Sequence, residues 1–238
     1  MPAPMLRGVR IDPAHGGERV ARLAFLSHGP VELEFKAPLT FLIGENGCGK
    51  TTVLEAIAAR CAIRPQGGAS YAATEDRRGT ALSAAVEVTF SGRRPKGLFL
   101  RADTFAETMA RAGALPMADT GEWRPADEQS RGEGVLSLLT ARVDASEGLL
   151  FLLDEPETGL SPQRQMALLC LLDDVHRDGR SQAVVATHSP ILMAHPAADH
   201  LWIDEDGIAR RPLVDIPHWR AMSRFMRDPD AAVRRLLE

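Results

Sequence analysis

The chain has 238 residues, of which 45% are hydrophobic and 25% charged, and its net charge is −4. That balance suits a folded chain with a substantial core and excludes an intrinsically disordered one. No apolar run approaches the ~20 residues of a membrane helix, no signal-peptide core follows Met1, and Cys48, Cys61 and Cys170 are too scattered for a disulfide frame or a zinc site, so a cytoplasmic protein without membrane insertion is expected.

In chain order, Val31 to Phe35 alternates with period two and predicts a half-buried strand. Phe41-Leu42-Ile43 predicts a buried strand. It runs into Gly44-Glu45-Asn46-Gly47-Cys48-Gly49-Lys50-Thr51-Thr52, the spacing of a phosphate-binding loop in a nucleotide hydrolase. Thr51 to Cys61 continues as a helix with Val53, Leu54, Ile57 and Ala58 on one face, and residues 64–71 form a loop. Ala84 to Phe90 and Leu98 to Leu100 predict two more strands. Residues 103–147 read as a polar, mostly helical lobe with a Gly/Pro-rich stretch from Gly113 to Pro125.

Leu149 to Leu153 is a continuous apolar run, as expected of a strand buried on both faces. Gln163 to His176 predicts an amphipathic helix and Ala183 to Ala186 another buried strand. His200 to Ile203 and Gly207 to Ala209 predict a closing hairpin, and residues 218–238 a helical tail. Strands alternating with helices predict an α/β fold on a parallel, doubly wound sheet.

Each strand end then offers chemistry. In the loop, glycines 44, 47 and 49 let successive backbone N–H groups face phosphate oxygens, and the following helix adds its positive N-terminus. Lys50 places a point charge on the β/γ oxygens, and the Thr51 hydroxyl suits Mg²⁺. The strand from Leu149 ends in Asp154-Glu155-Pro156; two carboxylates after five apolar residues are costly unless they face a cation or a reaction. Asp154 suits the metal, and Glu155 a general base toward water. His188, in Thr187-His188-Ser189, ends another apolar strand and suits a γ-phosphate contact, because parallel strands put their C-terminal ends on the ligand side. Histidines 15, 28, 176, 195, 200 and 218 lack that setting and read as surface or structural. Ser130-Arg131-Gly132-Glu133 opens a helix with small residues; a plain cap is the alternative.

The order of these segments, with Glu157-Thr158-Gly159-Leu160-Ser161-Pro162 after the carboxylates, resembles the ABC-type ATPase superfamily. Within it, Gly97 to Phe105, Glu128-Gln129-Ser130, Leu160 to Gln165 and Ala186 to Leu192 are similar to small stand-alone bacterial ATPases related to SMC, double-strand-break-repair and overcoming-lysogenization-defect ATPases. The resemblance implies a P-loop NTPase of ABC-ATPase type over residues 1–238, with an antiparallel β portion beside the parallel core. It implies Mg²⁺-dependent conversion of ATP and water to ADP and phosphate, with Lys50, Glu155 and His188 as catalytic residues and Thr51 and Asp154 as metal ligands. It also implies a head-to-tail homodimer formed on ATP binding, with Ser130, Arg131, Gly132 and Glu133 acting on the partner's nucleotide. DNA is the candidate further partner; a transporter's ATPase subunit and a slow nucleotide-dependent defence regulator are the alternatives.

The chain also departs from that pattern. No glutamine follows the Leu98 strand, where Arg101 and Asp103 stand; Asp103 is a candidate metal contact through water, or a helix cap. Cys48, at a helix N-terminus, is expected to have a lowered thiol pKa. Phe25 and Tyr71 are candidate platforms for the base, and the basic pairs Arg77-Arg78 and Arg93-Arg94 read as solvated turns.

Overall fold

The structure, a computed structural model, describes residues 4–63, 84–101 and 148–238, with Leu136, Leu139 and Thr140. Strands β1 (Leu6–Ile11), β2 (Val31–Glu34) and β4 (Val86–Phe90) form an antiparallel sheet in the order β2-β1-β4. Strands β3 (Leu39–Gly44), β5 (Gly97–Arg101), β6 (Leu150–Asp154), β7 (Gln182–Ala186), β8 (Asp199–Asp204) and β9 (Gly207–Arg210) form the second, in the order β5-β6-β7-β3-β8-β9. Every pairing in it is parallel except the β8–β9 hairpin.

Period-two alternation divides the core. Leu150 and Leu152 of β6, Val184 and Ala186 of β7 and Leu42 of β3 face one side, against Val53, Leu54 and Ile57 of helix α2 (Lys50–Cys61). Phe151 and Leu153, Ala183 and Val185, and Phe41 and Ile43 face the other. There they meet Leu168, Leu172 and Val175 of a helix at Pro162–Asp178, spaced four and three apart on one stripe. Both faces being covered is why these strands read as unbroken apolar runs.

That second helix, α3 in the order in which α1 (Gly17–Ala21) and α2 precede it, has a well-defined start and stop. Ser161 accepts from the Arg164 amide, Pro162 sits where no N–H is needed, and Gly179 ends it at φ 65°. Gln182 then ties the two sheets together: its side-chain oxygen accepts from the Leu6 amide at 2.8 Å and its nitrogen donates to the Leu6 carbonyl at 3.1 Å.

Two elements differ from expectation. Strand β1 was not anticipated: only Val9 and Ile11 carry the alternation, and the pairing with β4 shifts register between Leu6 and Gly8. The tail is two helices, α5 (Pro217–Arg227) and α6 (Pro229–Leu237), following the short α4 (Pro190–Met193). Pro229 has no N–H to continue α5 and keeps Asp228 out of the helical region (φ −150°, ψ 81°); the Asp228 carboxylate then caps α6 through the Ala231 amide.

Candidate functional site

Three neighbouring parallel strands carry the site. In register, Asp154 of β6 lies opposite Ala186 of β7, and Leu42 of β3 opposite Ala186 as well, so the residues beyond each strand emerge along one edge.

Beyond β3 the chain turns at Gly47 (φ 80°) and Gly49 (φ 109°), a region L side chains rarely enter. Gly49 is doubly required, since a Cβ there would lie 2.5 Å from the Phe25 ring. Open space surrounds Gly47. Lys50, 5% exposed, folds back over the loop; its Nζ donates to the carbonyls of Gly44 at 2.9 Å and Glu45 at 3.0 Å. Thr51 Oγ1 donates to Asp154 Oδ1 at 3.2 Å, joining positions 103 apart. A hydroxyl and a carboxylate are the hard oxygen donors that Mg²⁺ takes alongside substrate phosphates, so the donor set fits that ion.

Beyond β6, Glu155 adopts φ 49°, a left-handed backbone that costs a non-glycine residue roughly 1–2 kcal/mol. Its amide donates to the Ala186 carbonyl at 2.9 Å, and its Oε1 lies 3.7 Å from His188 Nε2. That Nε2 is buried and makes no hydrogen bond. Burial foremost, and then the Lys50 charge, holds the His188 imidazole below its ordinary pKa, while Glu155 pulls the other way; the ring is neutral at pH 7.

Glu157 was read from the sequence only as part of the segment after the carboxylates. Its Oε1 accepts from Thr187 Oγ1 at 2.6 Å, the His188 amide at 2.7 Å and the Ser189 amide at 3.1 Å. Burial pushes this carboxyl above its ordinary value despite those donors. Gln165 of α3 accepts from Ser189 Oγ at 2.7 Å, so the His188 turn is held from two sides.

Arg101, in the place of the missing glutamine, pairs in register with Asp154. Its guanidinium donates to Glu55 of α2 at 2.8 Å and lies 4.0 Å from Asp154 Oδ2. The strand-end position of Arg101 was legible in the sequence; its partner on α2 was not.

Three expectations are corrected. His218, read as surface or structural, stands beside the loop: its Nε2 is 2.9 Å from Glu45 Oε1, and its ring centroid is 5.5 Å from that of His188. No local motif announces it, because the tail reaches the loop only through tertiary packing. Phe25 is 1% exposed beneath Gly49 and offers no platform for a base. The Cys48 thiol is raised rather than lowered: burial outweighs Lys50 and the backbone amides.

A family described as "AAA domain, putative AbiEii toxin, Type IV TA system" matches residues 118–194, and one described as "AAA domain" matches residues 23–97. The chain is 30% identical over 194 residues to an ABC-type transporter, oblD, of Cochliobolus heterostrophus, covering 71% of this chain but only 12% of that protein's length. Among solved structures, it superposes on MJ1267, an ATP-binding cassette of an ABC transporter, in its ADP conformation, with TM-score 0.51 and 13% identity over 98% of this chain and 100% of that one. It also superposes on an SMC head bound to the C-terminal winged-helix domain of ScpA, with TM-score 0.51 and 13% identity over 92% and 100%.

The fold is that of a P-loop ATPase of the ABC type. In this ABC-type fold, the described residues bring together Gly44 to Thr52, Asp154, Glu155 and His188. Asp103, Ser130, Arg131, Gly132, Glu133, the Arg77-Arg78 pair, Tyr71 and most of the expected helical lobe lie outside the described residues. Arg93 and Arg94 are exposed between β4 and β5, as a solvated turn requires. No helix among the described residues is long and apolar enough to cross a membrane.

Proposed function

We propose that this chain binds and hydrolyses ATP at the edge formed by β6, β7 and β3. The observation that carries the reading is the Thr51–Asp154 contact, which puts the loop hydroxyl and the strand-end carboxylate within reach of one cation. Thr51 and Asp154 would hold Mg²⁺, whose charge offsets that of the phosphates when bound.

The chain's own residues do the rest. Amides from Gly44 to Thr52 wrap the phosphates, and Lys50 leaves its two carbonyl partners to meet the β- and γ-oxygens. Glu155, next to Asp154, takes the proton of the attacking water. Neutral His188 donates through Nε2–H to the γ-phosphate and keeps the water beside Glu155. Ser130, Arg131, Gly132 and Glu133 complete a second copy's site across a two-fold axis, so that ATP drives dimerisation.

Phosphate release with Mg²⁺ and ATP tests this, with Lys50→Ala as the blank. Wild type is expected to exceed the blank by ~10²-fold, the scale of losing a preorganised electrostatic contact; equal rates would end the reading. The sequence resemblance of Gly97 to Phe105 and Ala186 to Leu192 to SMC-related ATPases favours a switch coupled to DNA, for which duplex DNA should raise turnover in a salt-dependent way. The likeness to oblD favours a transporter motor instead, for which DNA leaves the rate unchanged.

A further inference from the structure

We infer that His218, delivered by the C-terminal segment, is a positioning residue for both the phosphate loop and His188; the inference rests on the ATPase reading above. Its Nε2 bonds Glu45 Oε1 across 173 positions of sequence. Glu45 directly follows Gly44, and its backbone carbonyl is one of the two that hold Lys50 Nζ. Anchoring the Glu45 side chain therefore steadies the stretch of loop from which Lys50 must be released to meet phosphate. The other ring nitrogen of His218 is buried without a partner, so Nε2 is the atom that acts.

The ring does separate work. Its centroid lies 5.5 Å from that of His188 and 5.5 Å from that of Trp202. Trp202 is buried and anchored. It pairs in register with Ile43 of β3, its Nε1 donates to Asp204 at 2.6 Å, and the Arg211 guanidinium lies 5.4 Å from its ring. His188, in contrast, has no hydrogen bond on the buried Nε2 that faces Glu155 at 3.7 Å. Packing against a ring that also contacts Trp202 restricts the rotation of that imidazole. His218 is itself held in place. Ile216 is fully buried in the core cluster that also holds Leu192, Met193 and Trp202, and Pro217 starts α5 immediately before His218.

The two contacts predict separable kinetic effects. The Glu45 bond acts on the loop and so on KM; the ring acts on His188 and so on kcat. Steady-state ATP turnover is measured for wild type, His218→Ala, His218→Phe and His218→Gln, with melting temperatures in parallel and Lys50→Ala as the blank. His218→Ala should lower kcat about tenfold and raise KM about threefold. His218→Phe, which keeps a ring without a donor, should recover kcat but not KM. His218→Gln, which keeps a donor without a ring, should recover KM but not kcat. Wild-type kinetics in His218→Ala overturn the inference. So does a loss that follows melting temperature and is divided by neither Phe nor Gln. A wild type no faster than the blank takes down the ATPase reading along with it, whereas an active wild type with indifferent variants takes down this inference alone.

Discussion

His188 sits where its protonation can be read out as stability. Burial and Lys50 lower its pKa from the ordinary 6.5, so the folded chain releases this proton more readily than the unfolded chain does. Below 6.5 the unfolded state binds more protons, and stability is lost as pH falls through the window under that value. Denaturant titrations at about pH 5.5 and about pH 7.5 should show wild type gaining more stability on the rise than His188→Gln does. An identical gain in the two would show that this ring titrates as it does in solvent. Its neighbour Glu155 adds a second cost through its left-handed backbone. Both are local penalties at residues proposed to handle the proton, a pattern expected where chemistry rather than packing selects the residue.

The turn after β7 shows how a strand end becomes a fixed platform. Glu157 gathers three donors from Thr187, His188 and Ser189 on a single carboxylate oxygen, and Gln165 reaches over from α3. Removing the hub would strand the Thr187 hydroxyl and the His188 amide, while the Ser189 amide keeps Thr187 Oγ1 as an acceptor at 3.0 Å. Glu157→Ala should therefore cost about 3 kcal/mol, read from the denaturation midpoint at constant slope; a change under about 0.5 kcal/mol would mean the turn holds itself. The sequence made the platforms legible and the hub invisible. Leu149 to Leu153 and Ala183 to Ala186 announce their strands because both faces are buried, and the carboxylates and His188 follow directly in sequence. Glu157, Arg101 and His218 act through partners 31, 46 and 173 positions away, and no local pattern encodes such pairings. Strand β1 is masked in the sequence for a related reason: its register shift at Leu6/Gly8 interrupts the alternation that marks a strand.

For the molecule as a unit, the proposed catalytic cycle requires two copies. Glu155→Gln keeps the loop, Thr51 and Asp154 while removing the proposed base. With Mg²⁺ and ATP it should accumulate as a dimer, seen by light scattering as twice the chain mass, while Lys50→Ala stays at single mass under the same conditions. A monomeric Glu155→Gln chain at saturating nucleotide would refute the shared site without touching the fold.

Strand order also shapes how the polypeptide is born. Both neighbours of β3, strands β7 and β8, lie far downstream of it. During translation an apolar ribbon therefore waits with its two hydrogen-bonding edges bare, on the order of ten seconds at ordinary ribosomal speed. Over that interval the nascent chain cannot grip nucleotide and is exposed to mispairing with another ribbon. Synthesis slowed before Gln182 would lengthen that vulnerable period, because neither covering strand has yet been made.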